Sequence, residues 1–133
     1  MTKSIEEIRA FFQNDRFATE NGCYIEEVGE GYSVCSLEIT EHHLNARGGL
    51  MGGVHPMLAD FAFAVAVNAE STSVVSANCN VAFMGIPKTK KIFATAKAVK
   101  EGRTLVFYEV MITDELGNKI AKADFTGCRL QSK

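Results

Sequence analysis

Residues 53–70 read GVHPMLADFAFAVAVNAE, and this stretch decides the fold. Val54, Met57, Leu58, Phe61, Ala62, Val65 and Ala69 recur at the i, i+3, i+4, i+7 spacing of one helical face, and Ala59, Phe63, Ala66 and Val67 make the opposite face apolar as well. A helix apolar all round has to be covered on most sides, which makes it central and not a surface element. Pro56 is tolerated only in a first turn, so the spacing predicts a start at residues 53–55.

Outward from that helix, residues 44–53 (LNARGGLMGG) hold four glycines and no periodic pattern, which reads as a loop. Upstream, residues 23–29 and 32–40 alternate as an antiparallel strand pair about Glu30-Gly31. Ser4 and Glu7 form a capping-box pattern before Ile5, Ile8, Phe11 and Phe12, which predicts a short first helix. Downstream, residues 73–84, 91–100, 104–114 and 118–130 read as four strands, divided by Pro87, Glu101-Gly102 and Gly117-Asn118. Alternation in the first of these sets Val75, Ala77, Cys79, Val81 and Phe83 against Ser76, Asn78 and Asn80. The expected class is α+β, a long central helix wrapped by a strongly curved antiparallel sheet. At 133 residues the chain has room for one domain, 1–133.

Charge is distributed unevenly. Residues 1–47 hold nine acids and four bases, residues 88–133 hold five acids and ten bases, and the forty residues between carry only Asp60 and Glu70. An unpartnered carboxylate inside apolar surroundings is costly, so Asp60 needs a reason to be there. No run approaches the length of a membrane span, and the charged start MTKSIEEIRAFF lacks the apolar core of a secretory signal. The expectation is a cytoplasmic protein that binds neither membrane nor nucleic acid. Cys23, Cys35, Cys79 and Cys128 form no C-x-x-C pair and read as reduced core thiols.

Few residues offer chemistry. Gly52 and Gly53 lead into the helix, where unpaired N–H groups at the positive end of its dipole suit an oxyanion or phosphate; equally, they serve only a tight turn. Asp60 in a partly desolvated setting suits proton transfer or nucleophilic attack, or else it is satisfied by local donors or faces solvent through a gap. His42, His43 and His55 have no metal-ligand spacing, so no metal is expected.

Spaced as they are, His43-Leu44-Asn45, Gly48, Gly52-Gly53 and Leu58-Ala59-Asp60 resemble the H-L-N-x-x-G-x-x-H-G-G-x-x-x-x-L-A-D signature of hotdog-fold acyl-CoA thioesterases of the phenylacetate-degradation (PaaI-like) family. The order of helices and strands resembles the hotdog layout too. The resemblance implies a homo-oligomer, dimer or tetramer, that hydrolyses a small or medium acyl-CoA, with coenzyme A as part of the substrate and no separate cofactor. It makes Asp60 the catalytic carboxylate, as nucleophile or general base, and gives Gly52 the N–H that polarises the thioester carbonyl. Asn45 orients water or substrate, and the site forms between two subunits. The resemblance and position together make Met51, Gly53, His55, Phe61 and Phe83 substrate-binding candidates. Lys88, Lys90, Lys91 and Arg103 are compatible with contacts to the phosphates of coenzyme A.

One position departs from the signature. Met51 stands where the family has histidine, and a thioether neither donates nor shuttles a proton. Weaker hydrolysis, a shifted substrate preference, or a non-catalytic binder of acyl-CoA or a lipid-like ligand are all compatible with that exchange. His55, four residues on and about one helical turn away, compensates if that turn is helical.

Overall fold

In the computed structural model, which describes residues 1–71 and 73–131, Ser4 and Glu7 close the expected capping box. The Glu7 N–H donates to Ser4 Oγ at 3.2 Å and the Ser4 N–H to Glu7 Oε1 at 3.1 Å. Helix α1 (Ile5–Phe12) then buries Ile8 and Phe12. A second helix, α2 (Arg16–Glu20), was not expected, because five residues are too few to carry a periodic pattern. The 1–133 span expected for the domain includes Thr72, Ser132 and Lys133, which lie outside the described residues.

The six predicted strands form, as β1 (Tyr24–Gly29), β2 (Tyr32–Glu38), β3 (Val74–Phe83), β4 (Lys91–Glu101), β5 (Leu105–Asp114) and β6 (Lys119–Arg129). They make one antiparallel sheet in the order β1-β2-β4-β5-β6-β3. Helix α3 (Val54–Asn68) packs against all six, so the sheet wraps it. At the centre, Phe63 of α3 stacks on Phe125 at 4.7 Å between ring centroids and meets Tyr108 edge-on at 5.3 Å. Full burial of one such side chain is worth about 1.5–3 kcal/mol. Gly127 is required beneath it, since a Cβ there would stand 2.7 Å from Val74 and 2.9 Å from Phe63.

Three polar ties set the helix in the sheet. Ser33 Oγ donates to the Ala62 carbonyl at 2.6 Å, bonding β2 to mid-helix. Asn68 exchanges two hydrogen bonds with Val74, at 2.8 and 3.0 Å, which sets where β3 leaves the helix. Asp114 closes the β5–β6 turn. Burial alone would raise its pKa, but donation from the Asn118 amide and from the N–H groups of Lys88, Asn118 and Leu116 outweighs that and brings it down to about 2. A carboxylate depressed in the folded state adds stability above its unfolded pKa of about 3.9 and loses it as pH falls. Asp114→Ala is therefore expected to melt below wild type at neutral pH, with the gap closing between about pH 4 and pH 2. Melting curves over that range check it.

Two cysteines do not match the expectation of core thiols. Cys23 and Cys35 are buried, but Cys79, on the edge strand β3, is exposed, and Cys128, on β6 opposite exposed Val75, is half-buried.

Candidate functional site

The site is built where the glycine loop meets the start of α3. His43 is part of the loop's framework: the Thr40 N–H donates to Nδ1 at 2.9 Å, which leaves Nε2–H to donate to the Asn21 carbonyl at 2.6 Å. Asn45 spends its side-chain oxygen on the loop, accepting from the N–H groups of Arg47 at 2.9 Å and Gly49 at 3.1 Å. Only its amide remains for water or substrate. Met51 donates its N–H to the His43 carbonyl and accepts from Val54. Among the described residues, no acceptor engages the N–H of Gly52 or Gly53. Both lie at the positive end of a fifteen-residue helix.

Asp60 lies two turns along the same helix. It is not an interior acid within one chain; it stands on the open flank of α3, between two grooves. One, of about 580 Å³, runs beneath α2 and is walled by Phe17, Ala18, Met57 and Phe61. The other, of about 340 Å³, runs along β3 and is walled by Pro56, Ala77, Cys79 and Phe125. Burial among these side chains raises the Asp60 pKa, and a hydrogen bond from Ser76 Oγ to Oδ1, at 3.1 Å, offsets part of that rise.

Sequence reasoning missed two residues here. Alternation groups Ser76 with Asn78 and Asn80, on the face opposite Cys79, Val81 and Phe83, but a bulge between Ser76 and Asn78 shifts the register. Ser76 thereby pairs with inward-facing Gly127 and reaches Asp60, while Cys79, Val81 and Phe83 keep the inner face. Asp15 N-caps α2 but makes no capping bond; it opens on the larger groove, its pKa raised by burial and then by the charge of Asp60.

The other candidates divide. Phe61 and Gly53 line the larger groove, and Met51 is exposed at 55% beside Gly53. Phe83, 61% exposed, lays its ring against Gly52. His55 is 5% exposed and turned back to the Gly52 carbonyl, so its ring does not reach the groove and does not replace the missing histidine. Lys91 is occupied with Glu26 at 3.2 Å, whereas Lys88 and Lys90 are exposed on the loop after β3. Among the described residues no group of three His, Cys, Asp or Glu side chains could hold a metal ion, and no helix is long and apolar enough to cross a membrane.

Comparisons with known proteins agree. A family profile described as the thioesterase superfamily matches residues 47–121. The chain is 28% identical over 121 residues to acyl-coenzyme A thioesterase PaaI of Escherichia coli (strain K12), covering 90% of this chain and 86% of that one. It is 30% identical over 125 residues to acyl-coenzyme A thioesterase 13 of Homo sapiens, covering 90% and 89%. Its fold superposes on the solved structure of the E. coli PaaI protein from the phenylacetic acid degradation operon with a TM-score of 0.83 and 26% identity, over 93% of this chain and 91% of that one.

Proposed function

Since the chain belongs to the thioesterase superfamily, as a hotdog-fold protein of the PaaI-like kind, we infer that it hydrolyses an acyl-CoA thioester to the free acid and coenzyme A. The observation that carries this is Asp60: the one carboxylate on α3, opening on two grooves and held by Ser76. Ser76 occupies Oδ1, leaving Oδ2 free to take a proton from water. The hydroxide so formed attacks the thioester carbon, and the carbonyl electrons move onto oxygen, to which the Gly52 N–H donates a hydrogen bond. Collapse of that intermediate breaks the C–S bond, and the proton on Asp60 passes to the leaving thiolate.

One chain does not place both groups on one thioester. Gly52 and Asp60 are eight residues apart, on the order of 10 Å along a helix at about 1.5 Å per residue. An oxyanion donor has to lie about 3 Å from the oxygen and a base within hydrogen-bond reach of the attacking water. Gly52 of one copy therefore works with Asp60 of another.

The sheet edges support the same reading. β1 is blunted by Glu26 and Glu27 and by Arg9, which donates to the Ile25 carbonyl and lies over the Tyr24 ring. β3 is ten residues long, exposed, and lies in a stretch without a charge from Ser71 to Pro87. A bare edge of that kind invites pairing. We take its partner to be β3 of a second copy, in a dimer or in a tetramer made of two such dimers. Lys88 and Lys90, on the loop after β3, are placed to meet the phosphates of coenzyme A. Four free cysteines suit a reducing compartment, the cytoplasm.

Thiol release from a panel of acyl-CoA esters tests the activity, with turnover expected on small or medium acyl groups. Ligand binding without thiol release would favour the binder that Met51 brings to mind. Ser76→Ala tests the carboxylate's support. Losing that donor raises the Asp60 pKa further, so the acid limb of the kcat/KM profile is expected to move to higher pH. An unmoved limb would separate Ser76 from the reaction.

A further inference from the structure

Position 56 has no N–H. The Gly52 carbonyl points into the first turn of α3, where it accepts the His55 N–H at 3.2 Å. Any residue but proline at 56 would offer a second N–H there, from the i+4 position. His55 supplies that donor from its side chain: Nδ1 lies 3.0 Å from the Gly52 oxygen, and because a carbonyl only accepts, the ring is the Nδ1–H tautomer. The ring is almost fully buried and meets Phe83 edge-on at 5.1 Å between centroids. Phe83 in turn lies against Gly52, its ring carbons 3.7 Å from where a Cβ would stand.

These contacts close a ring of three residues, Gly52, His55 and Phe83, around a turn made of two adjacent glycines. Such a turn has the widest backbone freedom of any dipeptide, and an oxyanion donor is useful only when aimed. We propose that His55 is a positioning residue for the oxyanion turn. Its Nδ1–H holds the Gly52 carbonyl inward and so turns the Gly53 N–H, on the same planar peptide, outward; the Gly52 N–H, on the preceding peptide whose Met51 carbonyl accepts from Val54, is steadied at the Cα the two peptides share, while Phe83 on β3 fixes the ring that does this. The proposal rests on the reading of Gly52 as the oxyanion donor. It assigns to His55 a role behind the turn, distinct from the proton-bearing ring that Met51 has displaced in front of it.

A donor that serves the transition state more than the bound substrate affects kcat more than KM. His55→Leu keeps the apolar packing and deletes the donor, and is expected to lower kcat about tenfold with KM within about twofold. Two variants should recover most of that loss: His55→Asn, whose amide reaches the place of Nδ1, and the double variant His55→Leu with Pro56→Ala, which restores a backbone donor. Nitrogen NMR should find the wild-type ring as the Nδ1–H tautomer, and the Gly52 and Gly53 amide resonances should move in His55→Leu and return in both rescued variants. Unchanged kcat in His55→Leu, or a loss that neither rescue reverses, would overturn the proposal. A wild type that releases no thiol fails the functional reading instead; the two amide resonances then decide, and if they stay in place in His55→Leu the clamp is absent.

Discussion

Asp60→Asn is expected to lower kcat for thioester hydrolysis by about 10²- to 10⁴-fold, the range that a positioned proton-transfer group supplies. Asparagine keeps the shape and still accepts from Ser76 Oγ, so the loss reports the missing base and not a collapsed groove. The same substitution should make the fold more stable at neutral pH. Burial raises the Asp60 pKa, so the folded state holds its proton more tightly than the unfolded chain does. Relative stability is then lost as pH rises through the folded value, and the advantage of Asn over Asp should open over that interval. Lower turnover together with a higher Tm marks a group kept for function at the expense of the fold. Turnover within about threefold of wild type would remove Asp60 from the mechanism.

A second large loss is expected without touching the chemistry. Asn78 and Asn80 pair with Thr126 and Asp124, on the outer face of the exposed edge strand β3. Replacing both with lysine places like charges along the edge proposed to join two copies, a device by which edge strands avoid pairing. The double variant is expected to sediment as a monomer with unchanged circular dichroism. Deprived of its partner's Gly52, Asp60 then works without an oxyanion donor, a deficit of about 10²- to 10³-fold in kcat. A monomer as active as wild type would show that each chain carries a complete site; an intact dimer would show that the subunits meet elsewhere.

What the sequence disclosed follows the length scale of each signal. Helix α3 and the six strands were legible because six to fifteen residues repeat a period, and Asp60 stood out because charge is missing for so long around it. Helix α2, with five residues, had no period to show, and Asp15 was lost with it. Ser76 was hidden by a single bulge: one extra residue turns a side chain to the opposite face, and nothing in VVSANCNVAF marks where that happens. His55 was visible as a residue but not as a direction. Its ring turns to the Gly52 carbonyl, where Pro56 offers no donor, a matter of packing that spacing does not encode.

The proposed joining of Gly52 of one copy to Asp60 of another is tested by mixing two inactive proteins. Gly52→Pro deletes the N–H, Asp60→Asn deletes the base, and each homodimer alone should be nearly inert. Unfolded and refolded together in equal amounts, half of the dimers are mixed, and each mixed dimer holds one site with both groups intact. Activity is then expected to recover to about a quarter of wild type, measured as thiol release at equal protein concentration. If both groups of a site came from the same chain, every site in every dimer would carry one defect; a mixture no more active than its components would contradict the account.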